Sequence, residues 1–194
     1  MLVNGLTFKK LYPNKTFWKL TNKKELHNNY LYKTGINIDD KQFDPTKDCD
    51  NGLYFTEYDN IGMWLNYDVN NVMKWIRKVN ILDDSQISIE VNKFKADKFV
   101  LEERSYIWSN TDLCTMAVIY DGMLLKYVKK RKKNICKLAV INNGLSLRYI
   151  KKQTSELCKS AINSHPCAFS FVFQRFKTEE LWNFALECAS VPKF

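Results

Sequence analysis

Histidine is almost missing from this chain of 194 residues, which holds only His27 and His165. The six cysteines, Cys49, Cys114, Cys136, Cys158, Cys167 and Cys188, include no C-x-x-C pair. A structural zinc site takes four such ligands at short spacings, so neither a metal nor a cofactor is expected. No G-x-S-x-G, no Cys-His context and no glycine-rich loop of P-loop or Rossmann spacing occurs, which removes the common motifs of hydrolases and nucleotide enzymes. No apolar run approaches the roughly 18 residues of a membrane span. The opening Met1-Leu2-Val3-Asn4-Gly5 lacks the apolar stretch of a secretory signal. With 45% apolar residues the chain can still bury a core. The expectation is a soluble, intracellular protein of one large or two small domains, its thiols reduced.

What is present is a repeat. Leu113-Cys114-Thr115-Met116-Ala117-Val118 recurs as Ile135-Cys136-Lys137-Leu138-Ala139-Val140 and as Leu157-Cys158-Lys159-Ser160-Ala161-Ile162, with a degraded copy at Leu181-Trp182-Asn183-Phe184-Ala185-Leu186. The intervals are 22, 22 and 24 residues. Fixed self-similarity at this period marks stacked supersecondary units, which bind partners more often than they do chemistry. Within each copy Leu, Ala and Val fall on one helical face, and the small Ala allows close approach of a neighbour. Asn110, Thr154 and Thr178 stand where helix caps belong, and Asn134 is the candidate in the second copy. Gly122 and Gly144 are placed as glycines that end the first helix. The second element, Leu125-x-Tyr127-Val128, Leu147-x-Tyr149-Ile150 and Phe169-x-Phe171-Val172, alternates like a strand but fits a helical turn better. Two helices per repeat is the reading.

Charge is concentrated in the same region. Residues 126–159 hold eleven Lys and Arg against the single Glu156, whereas the whole chain is net +9. Lys129, Lys130, Arg131, Lys132, Lys133, Lys151 and Lys152 are therefore the candidate binding residues for a polyanion or an acidic partner. They run through turns between helices, so a solvated surface is the competing reading. Tyr127 and Tyr149, although able to stack on bases, repeat like core residues.

The first part of the chain reads as mixed α and β. Phe17-Trp18-Lys19-Leu20 is a short aromatic strand, and Lys23-Lys24-Glu25-Leu26-His27 looks helical. Asp39 to Asn51 has loop composition. Gly52-Leu53-Tyr54-Phe55-Thr56 reads as a buried strand, after which Asp59 or Asn60 caps a short helix bearing Ile61, Trp64 and Leu65. Trp75, Val79 and Ile81 alternate with polar residues, interrupted by Arg77, and Ile87, Ile89 and Val91 alternate cleanly. These two runs are expected to pair, with Phe99-Val100-Leu101 as a further strand.

Two resemblances attach to these residues. Ile135 to Lys159 closely resembles a short helical repeat of amoeba-infecting giant viruses of the mimivirus type. Lys33-Thr34-Gly35-Ile36-Asn37, Phe43-Asp44-Pro45, Gly52 to Thr56 and Lys93 to Phe99 resemble a domain that precedes repeats in those proteins. The resemblance implies a viral origin, this two-part architecture and residence in the host cytoplasm or the virion, with no known reaction. Separately, Gly52 to Thr56 resembles part of the NAD-binding core of ADP-ribosyltransferases, in which a Tyr stacks on the nicotinamide. That family also uses a His on an early strand and a Glu on a late one, for which His27 and Glu90 are the candidates here.

The resulting expectation is an α+β protein: a mixed domain over residues 1–104, then a short α-helical repeat array over 105–194 with copies starting near 113, 135, 157 and 181. Its function is read as a viral intracellular interaction or adaptor protein with a protein partner and no membrane. Nucleic-acid binding through the basic repeats is the alternative, and a transferase-like NAD-binding fold is third.

Overall fold

The computed structural model describes residues 1–47, 50–66 and 72–190, so Cys49 and the last four residues of the segment 181–194 lie outside the described residues. The chain divides into two compact units, one ending at Ile107 and one beginning at Trp108. The first is mixed, with most of its strands in a large antiparallel sheet; the second is helical. Among the described residues no helix is long and apolar enough to cross a membrane.

The first unit holds strands β1 (Leu2–Asn4), β2 (Phe17–Thr21), β3 (Leu26–His27), β4 (Tyr30–Leu31), β5 (Gly35–Ile38), β6 (Leu53–Glu57), β7 (Trp75–Asn80), β8 (Gln86–Ile89), β9 (Phe94–Ala96), β10 (Lys98–Leu101) and β11 (Ser105–Tyr106). The large sheet runs β1-β8-β9-β6-β2-β7-β10-β5, with β11 also on β7. Helix α1 (Gly5–Leu11) is capped by Asn4, whose side chain accepts from the Thr7 amide at 2.8 Å. It sends Phe8 into a cluster with Phe17, Phe55 and Phe94, ring centroids 4.9–6.0 Å apart around Phe8. Edge-to-face packing of this kind adds to the burial of four large rings.

Several expectations for this unit change. Leu26-His27 is a strand, not a helix: Asn28 and Asn29 take φ of 49° and 62°, the left-handed pair a two-residue hairpin requires, and fold β4 back on β3. The runs at 75–81 and 86–91 do not pair with each other. β7 lies between β2 and β10, while β8 takes β1 and β9, because the tight turn at Val91-Asn92 joins β8 directly to β9. Neither Asp59 nor Asn60 caps by its side chain; a 3₁₀ turn (Tyr58–Asn60) leads into α2 (Ile61–Trp64) instead. Arg77 does not spoil its strand, since its buried guanidinium bonds Glu25 at 2.9 Å, the Thr34 hydroxyl at 2.8 Å and the Glu102 carbonyl at 2.9 Å.

In the second unit α-helices alternate with six-residue 3₁₀-helices. The order is α3 (Thr111–Tyr120), 3₁₀ Gly122–Tyr127, α4 (Lys133–Asn142), 3₁₀ Gly144–Tyr149, α5 (Ser155–Ser164), 3₁₀ Pro166–Phe171, a shorter 3₁₀ turn Gln174–Phe176 and α6 (Glu179–Ser190). Each α-helix packs on the next, and the 3₁₀ segments contact in the same order. Leu113, Ala117 and Val118, with their equivalents at 135, 139, 140 and 157, 161, 162, are all buried. Asn110, Thr154 and Thr178 accept amide hydrogen bonds as caps. Asn134 does not: α4 already contains it, and Lys132 stands at the cap position without a side-chain bond.

Gly122 and Gly144 are not left-handed helix ends either. They open the 3₁₀-helices and sit against the following α-helix: a Cβ on Gly122 would stand 2.3 Å from the Ala139 carbonyl oxygen, and one on Gly144 2.0 Å from that of Ala161. The glycine is needed for approach, not for its φ. The side chain at the end of the next helix then closes the seam. Asn142 accepts from the Gly122 amide at 2.7 Å and donates to the Ile119 carbonyl at 2.8 Å, and Ser164 accepts from the Gly144 amide at 3.2 Å.

Gly144→Ala is therefore expected to cost about 3 kcal/mol in thermal or urea unfolding, because its methyl group meets backbone that cannot move aside. Exposed Lys130→Ala should stay within about 0.5 kcal/mol. Equal, small changes for the two would show that Gly144 does not lie against α5.

Candidate functional site

The candidate basic residues meet at a cleft. The turn before α4 and the helix itself supply Lys129, Arg131, Lys133 and Lys137, and the turn before α5 supplies Lys151 and Lys152, around a cavity of about 470 Å³. Buried Cys136, Ile150 and Leu157 also line it. Five of the seven candidates, on turns that the sequence placed between helices, thus line one groove. Lys130 and Lys132 are exposed and lie outside its lining. Arg131 is partly held: its Nε donates to the Leu125 carbonyl and its Nη2 to that of Lys126, each at 3.2 Å.

Lys137, which the sequence reading omitted, pairs with Glu156 at 2.9 Å. One period on, Lys159 pairs with Glu180 at 2.7 Å. The signal was in the sequence, since both pairs join equivalent positions of successive copies. Bonding to Lys137, with Lys133 nearby, holds the Glu156 carboxyl below its ordinary pKa. Exposed pairs of this kind add little stability. Their consequence is local: the one acid at the cleft is already neutralised, so the remaining field is positive.

Tyr127 and Tyr149 are half-buried, and Tyr127 packs on Trp108 with centroids 5.2 Å apart. The repeat thiols Cys114, Cys136 and Cys158 are buried, and burial raises all three pKa values, that of Cys114 to about 11. Such thiols are poor nucleophiles at neutral pH. No group of three or more His, Cys, Asp or Glu is placed to hold a metal among the described residues.

A second pocket lies inside the first unit. Strands β2 and β6 pair only through Phe17 with Glu57 and Trp18 with Thr56. Past that point β2 continues on β7 and β6 on β9, and a cavity of about 70 Å³ opens where they part. It is lined by Trp18, Tyr54, Phe55 and Trp64, by Leu20, Thr56 and Met73, and by Lys19, His27 and Lys93. His27 and Tyr54 thus line one pocket. Glu90 is not in the lining; it pairs with Lys93 at 3.2 Å. Lys19 was visible as the one charge inside an aromatic run, yet nothing local says that it faces inward.

Lys19 Nζ lies 3.2 Å from His27 Nδ1 and 4.1 Å from the centroid of the Tyr32 ring. Burial lowers its pKa from the ordinary 10.5 to about 7. His27 falls to about 3, first through burial and then through the charges of Lys19 and Lys93, so its imidazole is neutral at pH 7. Tyr32 is raised, chiefly by burial, and its hydroxyl takes the Tyr54 amide.

Comparison with known proteins gives one partial likeness. A protein of Acanthamoeba polyphaga mimivirus described as an ankyrin repeat protein is 30% identical over 89 residues, which is 44% of this chain and 42% of that protein. The match thus spans less than half of either protein and points to a giant-virus origin. No family model matches the chain, and no solved structure matches it.

The buried amine sets a pH test. Between about pH 7 and 10.5 the unfolded chain holds a proton on Lys19 that the folded chain does not, so stability rises with pH across that window. Below it the penalty is fully present, on the order of 5 kcal/mol. Lys19→Met should raise the thermal midpoint at pH 6.5, and the gain should shrink towards pH 10.5. A gain that does not change with pH, or a loss, would refute the burial of a charged amine.

Proposed function

We propose that this chain is a viral interaction protein of the host cytoplasm whose second unit, a short array of 22-residue helical repeats, holds an acidic segment of a partner protein. The cleft carries this reading: six Lys and Arg converge around apolar floor residues, and its one carboxylate is already paired. A cleft of this kind suits a chain segment that offers carboxylates to the rim and an apolar side chain to Ile150 and Leu157. The period of the array, its buried Leu-Cys-Ala-Val faces and the likeness to a mimivirus protein described as an ankyrin repeat protein support binding over catalysis.

Nucleic acid is the second reading, favoured by the same cations, and it is separated by experiment. Labelled Asp/Glu-rich peptides containing Leu or Phe, and a single-stranded RNA of equal charge, are titrated at 50 and 200 mM salt. The proposal expects the apolar-bearing peptide to bind and to keep most of its affinity at the higher salt. Replacing Lys129, Lys133, Lys151 and Lys152 with Gln should weaken it at least about tenfold without altering the circular dichroism. RNA that binds more tightly than the peptide, with a steep salt slope, would assign the cleft to phosphates instead.

A further inference from the structure

The pocket between β2 and β6 has a chemistry of its own. Its flat surfaces are aromatic, and their polar atoms are already engaged: Trp18 Nε1 donates to Thr16 Oγ1 at 3.2 Å, and Trp64 Nε1 to the Asn92 carbonyl at 3.2 Å. Thr56 Oγ1 donates to the same Asn92 carbonyl at 2.9 Å. Asn92 has φ of 62°, and that left-handed turn aims its carbonyl at β6 and α2 while swinging Lys93 over the Tyr54 ring, 4.7 Å from its centroid. Two amines, Lys19 and Lys93, and a neutral imidazole are the titratable groups on the wall besides Tyr54; among the described residues no Asp or Glu lines it.

A mere packing defect does not account for this lining. Gaps left by imperfect packing are apolar and dry, whereas the buried amine of Lys19, with no Asp or Glu among the described residues of the wall, is costly to place beside one. Lys93, the second amine, already pairs with Glu90 at 3.2 Å. Nor is Lys19 there for solubility, since it is 3% exposed. Aromatic rings on the wall, together with the buried amine of Lys19, select a ligand that is planar and negative. At about 70 Å³ the enclosed space is roughly half that of a cavity known to hold benzene, so a single ring enters by one edge and a dinucleotide is not enclosed.

We propose that this pocket is a binding site for a small aromatic carboxylate, a single planar ring carrying one negative group. The ring lies among Trp18, Tyr54 and Trp64, and the carboxylate faces Lys19 and Lys93. His27 completes the site as a positioning residue, accepting from Lys19 at Nδ1 and so fixing the amine against the pocket wall. The site belongs to the first unit alone and is independent of the basic cleft of the second.

The test is calorimetric titration of the full chain with benzoate, benzamide, acetate and NAD. Benzoate is expected to bind at one site, at least about tenfold more tightly than its uncharged amide and than acetate, which lacks the ring. Lys93→Gln, at a partly exposed position, should reduce benzoate affinity about tenfold with the thermal midpoint preserved, and Lys130→Gln in the other unit should change nothing. No saturable benzoate binding would overturn the proposal, as would equal affinity for benzamide or for acetate. Tighter binding of NAD than of benzoate would overturn it in favour of a transferase-like cofactor site, and an unaltered affinity in Lys93→Gln would overturn it as well.

Discussion

One strand with two incomplete partnerships organises the first unit. β6 pairs with β9 through Leu53, Tyr54 and Phe55, and with β2 only through Thr56 and Glu57. Three residues of a central strand thus lack a full neighbour on one side, a place where unpaired amides would be costly. The Tyr32 hydroxyl takes the Tyr54 amide there, and the rest of the gap becomes the aromatic pocket. The start of β6 is fixed by an equally specific device. Lys95 on β9 is fully buried, and its ammonium group donates to the carbonyls of Asp44, Lys47 and Asp50, so it gathers the preceding loop around one charge. Its stem passes over Gly52, where φ is 154° and any Cβ would stand 2.4 Å from Lys95 Cγ. The glycine that opens the Gly52 to Thr56 segment is required by that lysine.

The second unit depends on a different contact, repeated. Each 3₁₀-helix begins on a glycine pressed to the carbonyl of the next buried alanine, and the residue ending that helix, Asn142 or Ser164, returns a hydrogen bond across the same seam. These three positions move together with the 22-residue period, which is why the period is strict while exposed positions drift. After α5 the rule ends. Pro166 replaces the glycine, His165 gives no cap bond, and the next interval lengthens to 24 residues. Gln153 joins this last seam by bonding the Phe171 carbonyl and the Phe173 amide, and Phe169 packs on Trp182. Aromatic contact there replaces the backbone-to-backbone approach used earlier.

The sequence revealed what periodicity can encode. The buried faces of α3, α4 and α5, the caps of α3, α5 and α6, and the strands at Phe17, Leu53, Ile87 and Phe99 all follow from residue type and spacing. Pairing did not follow, because alternation says which face of a strand is buried and nothing about which strand lies beside it. The 75–81 and 86–91 runs looked like natural partners for that reason. The Lys23 to His27 stretch looked helical on composition, while two consecutive asparagines able to adopt positive φ decided for a hairpin. Of the candidate site, the cations were legible but their convergence was not, since it arises only when turns 22 residues apart stack. Lys137 could have been found by comparing its copy with Lys159. Lys93 could not, because its direction depends on the conformation of Asn92.

The distribution of charge separates the two sites physically. Up to residue 107 the chain carries sixteen Lys and Arg against fifteen Asp and Glu, whereas the remainder carries fourteen against six. The cleft of the second unit therefore sits in a broad positive field that acts at long range and weakens with salt. The first unit is nearly balanced, so Lys19, Lys93 and Lys95 gain nothing from such a field, and each needs a local account. Lys95 has one in its three carbonyl acceptors, and Lys93 has one in Glu90. Lys19 has a neutral imidazole and an aromatic face, contacts that soften the loss of water without supplying a counter-charge, and its lowered pKa follows from burial alone. A protein keeps an amine in that condition at a cost in stability, and the cost is understandable where the amine's counter-charge arrives with a ligand.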